Sequence, residues 1–346
     1  MHALVTGAGG FIGQALVQRL LFDAAALPAP LTCLTLVDQA FGPAAATWAA
    51  DVRVNLHEGD FADPALLDRA LSTRPDLVFH LASVPGSRAE REPELGLRVN
   101  LLSTIALFER LAWYTEQAAP TRVVFASSVA VYGDLAALGP VVHETALARP
   151  AISYGAHKRM SEILLADLSR TGRLDGVSLR LPGIVARPLS PTGHGSAFMS
   201  DLIRCVVAGE PYDCPVSSAA QAWWMSLPCC IDNLLHAARL AEPGRADERT
   251  VQLPVLTATV AEVVHAAELV QVQVSETKGV TSQAADVRWQ PNEQIEALFG
   301  RMPRLESPNA RALGFTDDGS LARLVRQALA LDNAASTFIA TPAQRH

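Results

Sequence analysis

Lysine is almost absent from this chain of 346 residues. Lys158 and Lys278 are its lysines, and arginine makes up the rest of the 28 cationic residues. The 35 acidic residues outnumber the cations, and the formal charge of -7 excludes the basic footprint of a nucleic-acid-binding protein. A site that requires an ammonium group therefore has very few candidates.

Long apolar runs are also missing. No run reaches the ~18 residues that a membrane-spanning helix needs, and the first residues do not form a charged and apolar leader. The sequence therefore predicts a cytoplasmic protein without a membrane partner.

Cysteine is sparse, with five residues that form no C-x-x-C pair and have no histidines at zinc spacing. This pattern predicts reduced thiols, no disulfide framework and no metal site. The adjacent Cys229 and Cys230 leave a redox-active pair as the alternative.

Short apolar runs alternate with segments of helical periodicity in the first half of the chain. Alternating strands and helices pair in parallel through right-handed crossovers, which predicts an α/β fold with a Rossmann doubly wound parallel sheet. A ligand is expected at the carboxyl ends of the strands. The predicted strands are 3–6, 32–37, 52–56, 77–81, 122–126 and 177–181, and the predicted helices include 11–21, 64–71, 94–116 and 151–170.

The regular alternation ends near residue 182, where prolines and glycines break the chain into shorter elements. We therefore expect a Rossmann domain over 1–182 and a smaller α/β lobe over 183–330, with some chain crossing back to the sheet. Residues 331–346 are polar and rich in alanine, which predicts a frayed tail.

A glycine-rich loop lies where the first strand meets the first helix. Gly7, Gly10 and Gly13 are spaced as G-x-x-G-x-x-G, which allows a tight turn and close approach to a pyrophosphate at a helix N-terminus. Asp38 ends the second strand, where a carboxylate would bind the ribose hydroxyls and repel a 2′-phosphate, so NAD is predicted over NADP. Asp60 follows the third strand and either contacts the adenine or caps the next helix.

Tyr154 and Lys158 form a Y-x-x-x-K pattern at the start of a predicted helix. Residues four apart share a helix face, so the phenol and the ammonium point into the same space. A free tyrosine titrates near ~10, and a nearby ammonium lowers that pKa toward the range of a useful base. With so few lysines, the pattern is expected by chance only about 0.02 times. Ser128 ends the fifth strand and is predicted to hydrogen-bond the substrate oxygen, with a strand-end cap as the alternative.

Together these motifs resemble the extended short-chain dehydrogenase/reductase family of NAD-dependent epimerases and dehydratases, with His80, Asn100 and Pro182 as further matching positions. The resemblance implies a catalytic Ser128, Tyr154 and Lys158 set and a homodimer through helices near 95–117 and 154–170. The cofactor contacts that it implies, with those above, are Gly7, Gly10, Phe11, Ile12, Gly13, Asp38, Asp60, Phe61, Leu81, Ala82, Asn100, Tyr154, Lys158, Pro182 and Ile184.

Between residues 183 and 240 the cations are Arg187, Arg204 and Arg239, a supply that suits one carboxylate better than a diphosphate. Arg187 is the predicted carboxylate clamp, with a structural loop arginine as the alternative. Ser83, Ser128, Ser196 and Trp223 are the other predicted substrate contacts, and Trp224 is placed beside them or in the core. The sequence thus predicts NAD-dependent oxidation of a small sugar acid, with nucleotide-sugar epimerisation and a non-catalytic NAD-binding regulator as alternatives.

Overall fold

The computed structural model describes residues 1–23, 25–114, 119–187, 196–240, 249–279 and 283–330. Its strands are β1 (His2–Thr6), β2 (Cys33–Asp38), β3 (Val54–Glu58), β4 (Leu77–His80), β5 (Arg122–Ser128), β6 (Val141–His143), β7 (Asp175–Leu181), β8 (Gly183–Val185), β9 (Tyr212–Cys214), β10 (Gln221–Ser226), β11 (Thr250–Gln252), β12 (Leu256–Thr259), β13 (Val287–Trp289) and β14 (Arg304–Glu306). Its helices are α1 (Phe11–Phe22), α2 (Ala44–Ala49), α3 (Pro64–Ala70), α4 (Gly86–Arg91), α5 (Pro93–Leu97), α6 (Ser103–Trp113), α7 (Ser153–Arg170), α8 (Ala197–Ala208), α9 (Leu227–Arg239), α10 (Val260–Lys278), α11 (Glu293–Phe299), α12 (Pro308–Ala312) and α13 (Leu321–Ala328).

A seven-stranded parallel sheet forms the centre of the molecule, in the order β11-β7-β5-β4-β1-β2-β3. The predicted α/β class and Rossmann-type sheet are confirmed. The strand order switches between β1 and β4, because β2 and β3 lie on one side of β1 while β4, β5 and β7 follow on the other. Such a switch point opens a crevice at the carboxyl ends of the strands. The predicted glycine loop and the predicted Ser128 both lie at this edge.

Helices cover both faces of the sheet, as the pattern of buried residues on β1 shows. Ala3 and Val5 pack in the core that contains residues of α1 and α9. Leu4, between them, packs in the opposite core with residues of α3, α6 and α7. Successive strand residues point to opposite faces, so a strand covered on both sides must be apolar throughout. This explains why the strands appear in the sequence as short continuous apolar runs.

The predicted helix over 94–116 is interrupted in the structure. A π-helical turn, Arg98–Leu102, separates α5 from α6. Asn100 in this turn is buried, and its side chain accepts a hydrogen bond from the backbone N–H of Val84 (2.7 Å) and donates one to the Val84 carbonyl (3.0 Å). The spacing of apolar residues does not reveal this local departure from the α-helix.

The second lobe has its own core. Strands β8, β10 and β12 form a three-stranded sheet, and α8, α10 and α13 pack around it. Parts of the chain beyond residue 182 return to the first lobe, because α9 packs against the central sheet and β11 pairs with β7. Conversely, β6 from the first half pairs with β14. The two lobes therefore share chain segments, and the predicted tail over 331–346 lies outside the described residues.

Candidate active site

The glycine loop connects β1 to α1 with backbone geometry that requires glycine. Gly7 has φ +72°, and a Cβ atom there would lie 2.7 Å from the backbone nitrogen of Ala82. A Cβ on Gly13 would lie 2.0 Å from the Gly7 carbonyl oxygen. The helix begins after Gly10 without a side-chain cap, so its first N–H groups are available to an anion. The loop is therefore a cradle that fits a pyrophosphate. Phe11 and Ile12 in its first turn pack partly against the core.

Asp38 lies against this loop at the end of β2. Its carboxylate accepts hydrogen bonds from the backbone N–H groups of Gly9 (2.8 Å) and Gln39 (2.7 Å). The acid therefore stands beside the cradle, where the sequence pattern predicts a ribose contact.

Asp60 follows β3, and the structure excludes the helix-capping alternative for it. The cap of α3 is Asp63, which accepts a hydrogen bond from Ala65 N–H. Asp60 instead pairs with Arg98 on the π-turn and accepts from Ala62 N–H (2.9 Å). Burial opposes ionisation, but these hydrogen bonds lower the pKa of Asp60 below its usual value.

The segment after β4 is fixed from two sides. Thr6 accepts hydrogen bonds from Leu81 N–H at its carbonyl (3.1 Å) and from Ala82 N–H at its hydroxyl (3.3 Å). Asn100 holds the next residues through its two bonds to Val84. The Asn100 amide therefore positions this segment, and direct contact between Asn100 and a cofactor stays a prediction. Phe61 is buried, and the centre of its ring lies 5.5 Å from that of His80, with the two rings tilted by 40°.

Helix α7 brings Tyr154 and Lys158 to the end of β5. The approach is close, because a Cβ on Gly155 would lie 2.2 Å from the Ala130 carbonyl oxygen. The Lys158 ammonium donates to the Ala126 carbonyl (2.7 Å) and lies 5.7 Å from the centre of the Tyr154 ring. Ser128, two residues further on β5, is within hydrogen-bonding reach of the Tyr154 hydroxyl. The three predicted catalytic side chains therefore meet in one place.

The electrostatics of this cluster depend on burial. Burial raises the pKa of Tyr154, while hydrogen bonds with Ser83 and Ser128 and the charge of Arg187 act to lower it. Burial also lowers the pKa of Lys158 to about 7. The protein alone therefore does not hold the phenol in its ionised form, and the activation that the sequence predicts needs the further positive charge of a bound cofactor.

A cavity of about 600 Å³ opens at this cluster. Six residues predicted for the site line it: Ser128, Tyr154, Pro182, Arg187, Ser196 and Trp223. Ile184 is not among the lining residues, since its side chain is 3% exposed and packs in the core. Sequence patterns missed two walls, one at α4 with Pro85, Gly86, Ser87 and Glu90, and one at α11 with Ala297, Leu298, Phe299, Arg301 and Met302.

Arg187 is a partly buried cation in this cavity. Its backbone N–H donates to Ser200 Oγ (2.9 Å). Within the described ranges, no carboxylate pairs with its guanidinium, and the charged or ionisable groups near it are Tyr154 and Cys230. Burial lowers its pKa. A guanidinium held in a cavity without an internal counter-ion is suited to bind an anion.

The two adjacent tryptophans of β10 point to opposite faces. Trp223 lines the cavity, and its ring nitrogen donates to the Pro303 carbonyl (2.6 Å). Trp224 is fully buried in the core of the second lobe and donates to the Ala258 carbonyl (3.1 Å). Strand alternation therefore turns Trp223 toward the cavity side, where it is 2% exposed and packs in a small core with Tyr132 and Val142, and turns Trp224 into the core of the second lobe.

The remaining chemistry-bearing groups do not form a second centre in the described parts of the chain. All five cysteines are free thiols. Cys229 and Cys230 are buried, and burial raises the pKa of Cys230 to about 12, which disfavours a reactive thiolate. The described residues contain no metal-binding cluster and no helix long and apolar enough to cross a bilayer.

Comparison with known proteins decides the family. Residues 3–224 match the NAD dependent epimerase/dehydratase family. The chain belongs to this family. The predicted family and the predicted cofactor NAD are thereby confirmed, and the glycine cradle and Asp38 fit that cofactor. An NAD dependent epimerase/dehydratase fold also accounts for the position of the cavity at the strand ends.

Relatives within the NAD dependent epimerase/dehydratase family differ in their named activities. D-erythronate dehydrogenase from Cupriavidus necator is 36% identical over 94% of this chain and 97% of its own length. The protein of the same name from Haemophilus influenzae is 31% identical over 96% and 100%. The structure of a nucleoside-diphosphate-sugar epimerase from Agrobacterium tumefaciens has a TM-score of 0.81 and 31% identity, covering 94% of this chain and 92% of that one.

Replacement of Asp38 by asparagine tests the predicted preference for NAD. The amide can still accept from Gly9 N–H, but the charge that repels a 2′-phosphate is lost. We expect the ratio of kcat/KM for NAD over that for NADP to fall by about tenfold, which corresponds to about 1.4 kcal/mol. Asp68→Asn, an exposed acid on α3 that pairs with Arg110, is the control and should leave the ratio unchanged. An unchanged ratio in Asp38→Asn would contradict the assignment.

Proposed function

We propose that this protein oxidises a secondary carbinol of a small polyhydroxy acid with NAD. The observation that carries the proposal is Arg187, a guanidinium without a carboxylate partner among the described residues, in the cavity that contains Tyr154. A substrate carboxylate would supply its missing counter-ion. The name of the two D-erythronate dehydrogenase relatives, which align over nearly the whole chain, supports a sugar acid as substrate.

In this proposal the chain's own residues move a proton. Tyr154, as phenolate, accepts the proton of the substrate hydroxyl, and Ser128 orients that hydroxyl by a hydrogen bond. The Lys158 ammonium favours the phenolate electrostatically. Bound NAD supplies the hydride acceptor.

The proposed cofactor contacts follow the edge of the sheet from the glycine loop to the cavity. The loop residues would hold the pyrophosphate and Asp38 the ribose, while Lys158 would also contact the second ribose. The proposed set is Gly7, Gly10, Phe11, Ile12, Gly13, Asp38, Asp60, Phe61, Leu81, Ala82, Asn100, Tyr154, Lys158 and Pro182. Ser83, Ser196 and Trp223 remain proposed substrate contacts beside Arg187.

The test is NADH formation with a panel of aldonic acids, compared with alditols of the same chain length. The panel should include acids longer than erythronate, which has four carbons, because the cavity has an apolar wall that contains Leu298, Phe299 and Met302. We expect kcat/KM for the best acid to exceed that of its alditol by about 100-fold, since the alditol leaves Arg187 unpaired. Equal turnover of acid and alditol would contradict the carboxylate clamp.

Nucleotide-sugar epimerisation is the second candidate, because the solved relative from Agrobacterium tumefaciens is named as such an epimerase. Conversion of a nucleotide sugar with retained NAD and no net NADH would favour it. Bound NAD without turnover of either substrate class would instead indicate a regulatory NAD-binding protein.

We also propose that the protein is a cytoplasmic homodimer. Its free thiols support a reducing compartment. Helices α6 and α7 lie side by side, and the segment from the π-turn to α7 exposes large apolar side chains, with Leu102 52%, Met160 44% and Ile163 54% exposed. An apolar face of this kind on two packed helices suits a self-complementary interface.

Ile163→Glu places a charge in this face and is expected to convert the dimer into a monomer, because an unpaired buried charge disfavours association. Analytical ultracentrifugation measures the result. Leu269→Glu on α10, where the leucine is 51% exposed, is the matched control and should leave the mass unchanged. A wild-type protein that sediments as a monomer at micromolar concentration would refute the dimer.

A further inference from the structure

A buried ion pair lies directly behind the proposed catalytic residues. Glu162 is 0% exposed and stands one helical turn after Lys158 on α7. Arg180 near the end of β7 binds its carboxylate with both Nε (2.9 Å) and Nη2 (2.8 Å). A buried bidentate pair is geometrically demanding, and this one lies beside the site.

The pair connects three elements that each contribute to the site. Ser127 donates to the Glu162 carboxylate (2.5 Å), and the register of the sheet places Ser127 directly beside Arg180. Ser127 precedes Ser128 on β5, and β7 leads into the segment that carries Arg187. One carboxylate on α7 thus holds the ends of both strands.

Arg180 extends the connection toward the cavity wall. Its Nη1 donates to the Tyr132 hydroxyl (2.9 Å), and its guanidinium carbon lies 4.8 Å from the centre of the Tyr132 ring. That ring packs edge-on against Trp223 at 6.5 Å. The ion pair therefore contacts the supports of the cavity as well as those of the proposed proton acceptor.

The groups around the Lys158 ammonium come from three elements, β5, β4 and α7. From β5, its ammonium lies 4.7 Å from the centre of the Phe125 ring. From β4, His80 stacks on the same ring at 5.5 Å and is neutral, since burial lowers its pKa to about 3. From α7, Tyr154 and Glu162 face the ammonium. Glu162 is the nearby group whose negative charge opposes the effect of burial on the pKa of Lys158.

We infer that Glu162 and Arg180 are positioning residues: their ion pair locks α7 against the ends of β5 and β7, and the carboxylate favours the charged form of Lys158. The catalytic consequence rests on the proposed function, but the electrostatic consequence does not. Arg159 also donates to Glu162 (2.9 Å) from a partly exposed position, and it adds to the positive charge that Glu162 balances.

The scarcity of lysine allows a direct test. Protein labelled with ¹³C at lysine Cε has signals from Lys158 and Lys278 alone, and Lys278→Arg identifies the Lys158 signal. In wild type this signal should titrate near pH 7, as burial lowers the Lys158 pKa to about 7. In Glu162→Gln the pKa should fall by about one further unit, because a nearby opposite charge is lost and the guanidinium is left unbalanced.

Two comparison variants separate charge from folding. The double variant Glu162→Gln/Arg180→Met removes both buried charges, and buried pairs tolerate such replacement better than loss of one partner. Its Lys158 pKa should lie between those of wild type and the single variant, and it replaces the single variant if that one does not fold. Asp167→Asn, which breaks the exposed Asp167–Arg170 pair on the same helix, should leave the titration unchanged.

Ser127→Ala tests the positioning role without altering charge. It removes the hydroxyl donor to Glu162, so the Lys158 titration should stay at its wild-type value while kcat falls by about tenfold through misplacement of the site. An unshifted Lys158 pKa in both Glu162 variants, or a Ser127→Ala enzyme with wild-type kcat, would overturn the inference. Absence of turnover in wild type would refute the proposed function alone, because the titration needs no activity.

Discussion

Replacement of Tyr154 by phenylalanine is expected to lower kcat for NADH formation by about 1,000-fold. The change removes one oxygen and keeps the ring, so the proton acceptor is lost while the packing of α7 is preserved. General base catalysis by a positioned side chain contributes about 10² to 10⁴ in rate, and Tyr154 is the proposed base. Affinity for NAD, measured by quenching of protein fluorescence, should change by less than about threefold because the loop and Asp38 are untouched.

The pH dependence gives this prediction a second measurement. Burial raises the pKa of Tyr154, so ionisation of the phenol requires higher pH or an added positive charge, and the rate of the wild-type enzyme should increase with pH on its acidic side. That rise should be absent from the residual activity of Tyr154→Phe.

Tyr114→Phe is the matched control, since its hydroxyl donates to the Leu71 carbonyl far from the cavity. It should retain wild-type activity. A Tyr154→Phe enzyme that keeps more than a tenth of wild-type kcat would show that Tyr154 is not the proton acceptor.

Replacement of Arg187 by glutamine is expected to lower kcat/KM for the acid substrate by about 100-fold, or about 2.7 kcal/mol. The guanidinium is partly buried, and the described residues provide no carboxylate to neutralise it. A substrate carboxylate would therefore form a charge-assisted pair in a poorly solvated place, where such a pair is stronger than at the surface. Turnover of an alditol of the same length should be nearly unaffected.

Thermal unfolding distinguishes this clamp from a structural arginine. Loss of a partly buried charge that no described carboxylate neutralises removes a desolvation cost, so Arg187→Gln should unfold at a temperature no lower than wild type. Arg204→Gln is the matched control in the same lobe, because Arg204 already pairs with Asp201 (3.4 Å). It should not change kcat/KM. Equal loss of acid and alditol turnover in Arg187→Gln, together with a lower unfolding temperature, would favour the structural alternative.

The cofactor half of the site could be predicted from sequence because its residues lie close together along the chain. The spacing of Gly7 and Gly13 and the acid that ends β2 depend on one β-α-β unit, whose geometry is the same wherever it forms. The Tyr154 and Lys158 pair is similarly local, since one helical turn is enough to align the two side chains.

The substrate half could not be predicted in the same way. The α11 wall reaches the cavity because Gln221 on β10 donates to the Gly300 carbonyl (2.7 Å) and accepts from Met302 N–H at its own carbonyl (2.9 Å). These bonds join residues about eighty positions apart, and no periodicity near either segment predicts them. The sequence also did not assign Trp223 and Trp224 to different environments, because the alternation of residues along a strand does not show what covers each face.

Sequence alone determined the Rossmann sheet, the glycine cradle and the placement of Tyr154 and Lys158 on one helix face, because each depends on short-range geometry and on a residue type that chance rarely supplies. Tertiary structure decided which groups are charged. Burial raises the pKa of Tyr154 and lowers that of Lys158, and Glu162 reaches Arg180 through the packing of α7 on the sheet. Desolvation and pairing depend on every element that surrounds a group, so they become defined only when the whole chain has folded.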